Sequence, residues 1–247
     1  MPSQRDVALS EIKAECLVVA LDYSMKVVLP SSHGRDVNVM VGSWRLPGFL
    51  TVPSEASALV VFAHGSGSSR FSGRNRQVAQ TLNHAGMATL LFDLLQPEEE
   101  SVRSRAPVFD IELLANRLID AVEWADETLG DELTSIGLFG ASTGAAAALV
   151  AAAGLEGRIG AVVSRGGRPD LAGDALERVS APTLLIVGGE DHDVLELNKQ
   201  ARARMKCLTA LQVVPGATHL FEEPGTLQQV MTLARDWFET YLTAAPT

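Results

Sequence analysis

Ser142 stands at the centre of Gly140-Ala141-Ser142-Thr143-Gly144, where an apolar run typical of a strand stops and the small-residue run Ala145 to Ala153 begins. A serine hydroxyl becomes a useful nucleophile only when an imidazole takes its proton. The imidazole in turn needs a carboxylate to fix its tautomer and stabilise the cation it becomes. Both partners follow in the chain. Asp191 lies in Val187-Gly188-Gly189-Glu190-Asp191-His192-Asp193, and His219 in Pro215-Gly216-Ala217-Thr218-His219, each just after an apolar run. Asp193 is the better placed of the two acids to cap a helix starting near Val194, so Asp191 is preferred as the partner of His219. Acyl transfer through a tetrahedral oxyanion also needs two backbone N–H donors. The amide of Thr143 supplies one. The other is assigned to Ser66, with Gly67 as second choice, in His64-Gly65-Ser66-Gly67-Ser68-Ser69-Arg70. His64 is read as support behind that loop, and His84 and His192 as surface residues. The plain alternative is a Gly-rich turn with a capping serine, an ordinary surface loop and a loop histidine bonded to backbone. The three stretches together weigh against it.

The elements that would carry these residues alternate regularly. Leu59 to Ala63 is a continuous apolar run, as expected of a central strand buried on both faces. Ala88 to Phe92, Ser135 to Phe139, Ile159 to Val163, Thr183 to Val187 and Leu211 to Val214 repeat it. Helical stretches lie between and after them, at about Arg74–Ala85, Val108–Leu129, Ala145–Ala153, Val194–Met205 and Thr226–Leu242. The expectation is an α/β protein: a doubly wound, mostly parallel sheet with helices on both faces. Val37 to Val41 and Trp44 to Val52, joined at Gly42-Ser43, predict an antiparallel N-terminal edge hairpin. In such sheets ligands bind beyond the carboxyl ends of the strands, which is where Ser66, Ser142, Asp191 and His219 all fall. The acidic run Glu98-Glu99-Glu100 reads as a solvated loop or helix start.

Bulk properties narrow the class. A chain of 247 residues that is 47% hydrophobic fits one large domain, taken as residues 37–247, preceded by an N-terminal arm over residues 1–36. A net charge of −10 with no basic stripe argues against nucleic acid as a partner. The early acids Asp6, Glu11 and Glu15 and the short apolar run Cys16 to Leu21 do not suit a signal peptide, and no run is long enough to span a membrane. The expectation is a soluble cytoplasmic protein with no membrane partner. Cys16 and Cys207 are read as buried free thiols. Oligomeric state is open, a homodimer included.

Ala-His-Gly-Ser-Gly-Ser-Ser-Arg, Gly-Ala-Ser-Thr-Gly, Val-Gly-Gly-Glu-Asp and Pro-Gly-Ala-Thr-His together resemble the serine α/β-hydrolases, specifically their dienelactone-hydrolase-like branch, over about residues 58 to 242. The order Ser142, Asp191, His219 is the order of that family's triad. The resemblance implies an α/β-hydrolase fold and a hydrolase of esters, thioesters or lactones that uses neither metal nor cofactor. Dienelactone hydrolase itself carries a cysteine nucleophile where this chain has Ser142, so a carboxylesterase-type activity is the carry-over. Rival readings are a non-catalytic binding module on the same scaffold and an acyltransferase with the same triad.

Only a short stretch separates Val163 from Pro182, so no large cap domain is expected and the site should be open, suited to a small-molecule acyl substrate. Arg70, Arg165 and Arg168 follow strands and should border it. They are candidates to bind an anionic substrate group, against the plainer reading that Arg165 or Arg168 pairs with Asp170, Asp174 or Asp191.

Overall fold

The apolar runs become the strands of one sheet. In the computed structural model the described residues are 34–96, 98–99, 109–130 and 133–243, so the calls made on residues 1–33, Cys16 included, lie outside them. The strands are β1 (Arg35–Val41), β2 (Trp44–Thr51), β3 (Ala58–Ala63), β4 (Ala88–Phe92), β5 (Ser135–Ala141), β6 (Ile159–Arg165), β7 (Thr183–Gly188) and β8 (Thr209–Val214). The helices are α1 (Gly73–His84), α2 (Ile111–Leu129), α3 (Thr143–Gly154), α4 (His192–Arg204) and α5 (Thr226–Phe238). A π-helical turn, Glu239–Thr243, closes the last of these.

The strand order is β1-β2-β4-β3-β5-β6-β7-β8. β1 pairs antiparallel with β2, and β2 with β4, while β3 to β8 are parallel. The first strand opens at Arg35, two residues before the expected Val37. The chain winds outward from β3 to β4, then crosses back to place β5 on the other side of β3. The order therefore reverses between the carboxyl ends of β3 and β5, a topological switch point that favours ligand binding.

All six residues of β3 are buried, because both faces are covered. On one face Leu59, Val61, Leu138 and Val162 pack under α2, α3 and α4. On the other Val60, Phe62, Phe139 and Val163 pack under α1 and α5. Helix α3 lies closest to the sheet. Its alanines bring little side-chain volume, so its axis approaches β5 and the residues from Thr143 to Leu149 are all buried.

The connection after β6 forms 3-10 turns over Pro169–Glu177, broken at Gly173 by a positive φ of 54°, and no separate cap is built there. Two sequence expectations change. Cys207 is half-buried rather than buried. Glu99 is not simply a solvated acid. Its two carboxylate oxygens each accept a 2.7 Å bond from the guanidinium of Arg117, a residue of α2 that is 5% exposed and also donates to the carbonyl of Leu94. That pairing holds the Glu99 carboxyl below its ordinary pKa. A carboxylate depressed in the fold stabilises it above its unfolded pKa, and that contribution disappears as pH falls through the folded value. Glu99→Gln should cost about 2 kcal/mol at neutral pH, by leaving a buried guanidinium short of its counter-charge. The gap to wild type should close in acid. Denaturant titrations at both pH values check this.

Candidate active site

The strand-to-helix turn that carries Ser142 is strained. Ser142 adopts φ 51° and ψ −122°, a region that residues with a β-carbon rarely occupy, and such a residue persists only where its surroundings hold it. Here its N–H donates to the carbonyl of Arg165 at 3.3 Å, and its own carbonyl accepts from Ala145 and Arg168, each at 3.1 Å. The hydroxyl makes no capping bond to α3. The capping-serine alternative therefore fails, since this side chain leaves the helix N–H groups free.

The flanking glycines explain the tightness. A β-carbon on Gly140 would lie 2.7 Å from the backbone nitrogen of Ala145, where the outgoing helix crosses the strand. On Gly144 it would run into the carbonyls of Ala63 and His64, at the end of β3, with the Ala63 carbonyl carbon at 2.7 Å. Gly144 thus lets α3 close on the neighbouring strand rather than on its own. Both obstacles are backbone and cannot swing aside. Gly144→Ala should destabilise the fold by about 3 kcal/mol, lowering Tm by roughly 6–12 °C. A thermal melt reads this directly, and a fall below about 2 °C would contradict the close approach.

Asp191 and His219 come together from the ends of β7 and β8. Asp191 occupies the N-cap position of α4, two residues earlier than the sequence suggested, yet its side chain makes no cap. Its Oδ2 instead lies 2.7 Å from His219 Nδ1. With Nδ1–H donated to that carboxylate, the lone pair of the neutral ring is on Nε2. Asp193 is exposed in the first turn of α4 and does not reach His219. The histidine loop is pinned on several sides. Thr218 donates through its N–H (3.2 Å) and its hydroxyl (2.6 Å) to the carboxylate of Glu223. Phe221 is 2% exposed and held at φ 55°, an unusual conformation for a bulky residue. Gly166 packs beneath the ring, where an added β-carbon would sit 3.6 Å from His219 Nδ1. Ser142 Oγ and His219 Nε2 are not hydrogen-bonded to each other in this structure. Catalytic hydrogen bonds are often long without substrate and tighten when it binds.

The loop after β3 lies against the turn. His64 is structural, since its Nε2 accepts from the N–H of Leu94 at 2.9 Å. His84 and His192 are exposed, as expected. Ser66 N–H, the expected second oxyanion donor, donates to Thr143 Oγ1 at 3.0 Å. Sequence reasoning missed this bond because it treated Thr143 only as a backbone donor. The hydroxyl of Thr143, the first residue of α3, fastens the loop to that helix.

The three arginines differ. Arg70 is tied to Asp93 by an ion pair and by a 2.7 Å bond from its backbone N–H. Arg168 grips Asp170 with Nε (2.9 Å) and Nη2 (2.8 Å). Arg70 is thus tied to an acid that the sequence did not point to, and Arg168 follows the plainer structural reading. Arg165 does not: it is 7% exposed and pairs with none of the acids considered, and among the described residues its side chain hydrogen-bonds only to Asn75 Oδ1, at 3.4 Å. Burial and then the nearby charge of Arg74 push its pKa down to about 10. Asn75 gave no sequence signal, lying in a helix of mixed polar residues. A cavity of about 560 Å³ lies away from Ser142, between α1, β2 and β4, and is lined in part by Phe49, Arg70 and Arg76. Beside Gly65 to Gly67 the described residues leave only about 10 Å³.

Switch-point placement, strained serine turn and paired His219 and Asp191 are the marks of an α/β-hydrolase. A profile of the family described as alpha/beta hydrolase domain matches residues 56–236, and the chain belongs to that family. Within it the chain falls in the dienelactone-hydrolase-like branch. A crystal structure of a dienelactone hydrolase from Anabaena variabilis shares 52% identity with a TM-score of 0.83, over 85% of this chain and 99% of that one. Two Mycobacterium tuberculosis proteins, one from each of two strains, are 61% identical over 213 residues and carry the provisional name phosphoribosyl transferase. The match takes in 86% of this chain but 48% of theirs, so the chain spans about half the length of these relatives. Est1E from Butyrivibrio proteoclasticus, at 18% identity and a TM-score of 0.71 over 84% of this chain and 98% of that one, shares the fold.

Proposed function

We propose that the chain is a serine hydrolase of carboxylic esters, thioesters or lactones, working through a covalent acyl-enzyme. The observation that carries this reading is the 2.7 Å contact between His219 Nδ1 and Asp191, beside a serine held at positive φ with its hydroxyl uncapped. Ser142 Oγ attacks the acyl carbon and gives its proton to His219 Nε2, while Asp191 stabilises the imidazolium. The N–H of Thr143 and an N–H of the Gly65–Ser69 loop hold the oxyanion. Ser66 fills the second place by exchanging its bond to Thr143 Oγ1 for one to the oxyanion, and Gly67 is the other candidate. His219 then protonates the leaving group, and water, deprotonated by the same ring, releases the acid. No cofactor enters this scheme.

The name carried by the M. tuberculosis relatives does not extend to this constellation. Phosphoribosyl transfer moves a sugar carbon and has no use for an acylated serine. The proposal is tested with an alkyl fluorophosphonate, which should label wild type at Ser142 and leave Ser142→Ala unlabelled. Unlabelled, folded wild type would turn the reading toward a binding module. Among the described residues no helix is long and apolar enough to cross a membrane.

A further inference from the structure

Arg165 is an expensive residue to keep where it is. A buried guanidinium is ordinarily matched by a carboxylate, because desolvating an unpaired charge costs several kcal/mol. Its Nε and Nη1, which carry three of its five N–H bonds, are buried and have no hydrogen-bond partner among the described residues. Its surroundings add positive charge. The alternation along β6 directs Ala161 and Val163 to the α1 and α5 face, and Arg165 continues it two residues later. There the guanidinium meets the first turn of α1, reaching Asn75 Oδ1 at 3.4 Å. A helix N-terminus carries a partial positive charge, so it repels this group further. Arg74, one residue earlier on that turn, pairs its outer Nη1 with Glu222 at 3.0 Å, but its Nε is also buried and unpartnered.

The position is tied to the chemistry. The carbonyl of Arg165 accepts from the N–H of Ser142, and the next residue, Gly166, packs under His219. Neither of the paired arginines combines burial, missing partners and this adjacency. We infer that Arg165, with Arg74 and Asn75 at the start of α1, forms a subsite for an oxyanion group carried by the substrate beside its scissile acyl bond. A carboxylate and a phosphoryl group share the required chemistry, several acceptor oxygens bearing negative charge. The subsite rests on the hydrolase reading for its link to catalysis. Its capacity to bind an anion does not.

The test separates the two. Two 4-nitrophenyl esters are compared, glutarate half-acid and its neutral methyl ester, on wild type, Arg165→Gln and Arg165→Lys. The ratio of kcat/KM, acid over neutral, should fall roughly 10- to 100-fold in Arg165→Gln and recover in part in Arg165→Lys. An unchanged ratio overturns the inference. In parallel, Tm is measured with tens of millimolar inorganic phosphate or glutarate, at ionic strength matched with chloride. Wild type and Ser142→Ala should both rise by roughly 2–4 °C with at least one anion, and Arg165→Gln should not. Which anion acts tells phosphoryl from carboxylate, and no rise with either overturns the inference. If Arg165→Gln does not fold, Asn75→Ala and Arg74→Gln are read in the same two assays. Loss of both esters' hydrolysis with the Tm response intact would instead condemn the hydrolase reading alone.

Discussion

Ser142→Ala should abolish ester hydrolysis while leaving the protein folded. The expected loss is on the order of 10⁴- to 10⁶-fold in kcat, because members of a nucleophile–base–acid unit fail together and what remains is the contribution of binding and oxyanion stabilisation. The fold should not notice. Ser142 is held by its backbone, through Arg165, Arg168 and Ala145, and its hydroxyl makes no capping bond that the substitution would remove. Alanine meets the same backbone strain as serine, so stability should change by less than about 0.5 kcal/mol. Matched melts of the two proteins separate loss of chemistry from loss of structure. A Ser142→Ala protein retaining a tenth of wild-type turnover would place the nucleophile elsewhere.

Much of this arrangement was legible in the chain. Parallel strands buried on both faces announce themselves as unbroken apolar runs, and Ala88–Phe92 has the bounds that its sequence predicts, ending where Asp93 breaks the apolar run. The Gly-x-Ser-x-Gly turn was legible because its glycines answer local steric demands. What escaped were contacts between residues remote in sequence. Nothing near Ser66 tells that its N–H goes to a threonine hydroxyl 77 positions away. Nothing near Arg70 tells that its partner is Asp93 rather than a substrate. Arginines after strand ends look alike until the fold gives each its neighbours: two found carboxylates, and Arg165 found an amide oxygen and a second guanidinium. The helix boundary at Asp191 erred for a related reason. A helix start is inferred from a capping side chain, and here the residue at the cap position has its carboxylate committed to His219.

That commitment sets the other large effect. Asp191→Asn should lower kcat by about 10⁴-fold with KM little changed, whereas Asp193→Asn should stay within about threefold of wild type. An asparagine in place of Asp191 can offer its amide N–H to His219 Nδ1. The ring then protonates on Nε2, and the nitrogen that should receive the Ser142 proton is already occupied. Even with its carbonyl oxygen facing the ring, an amide lacks the charge that stabilises the imidazolium. Asp193 has neither role, being exposed in the first turn of α4, where its charge acts on the helix dipole and is worth a few tenths of a kcal/mol. The structural cost of Asp191→Asn is bounded at about 1–3 kcal/mol, the loss of one charge-assisted hydrogen bond, so activity is compared well below both melting temperatures. If the two asparagine variants lost activity equally, the 2.7 Å contact would be a loop brace and the working carboxylate would have to be sought elsewhere on the rim.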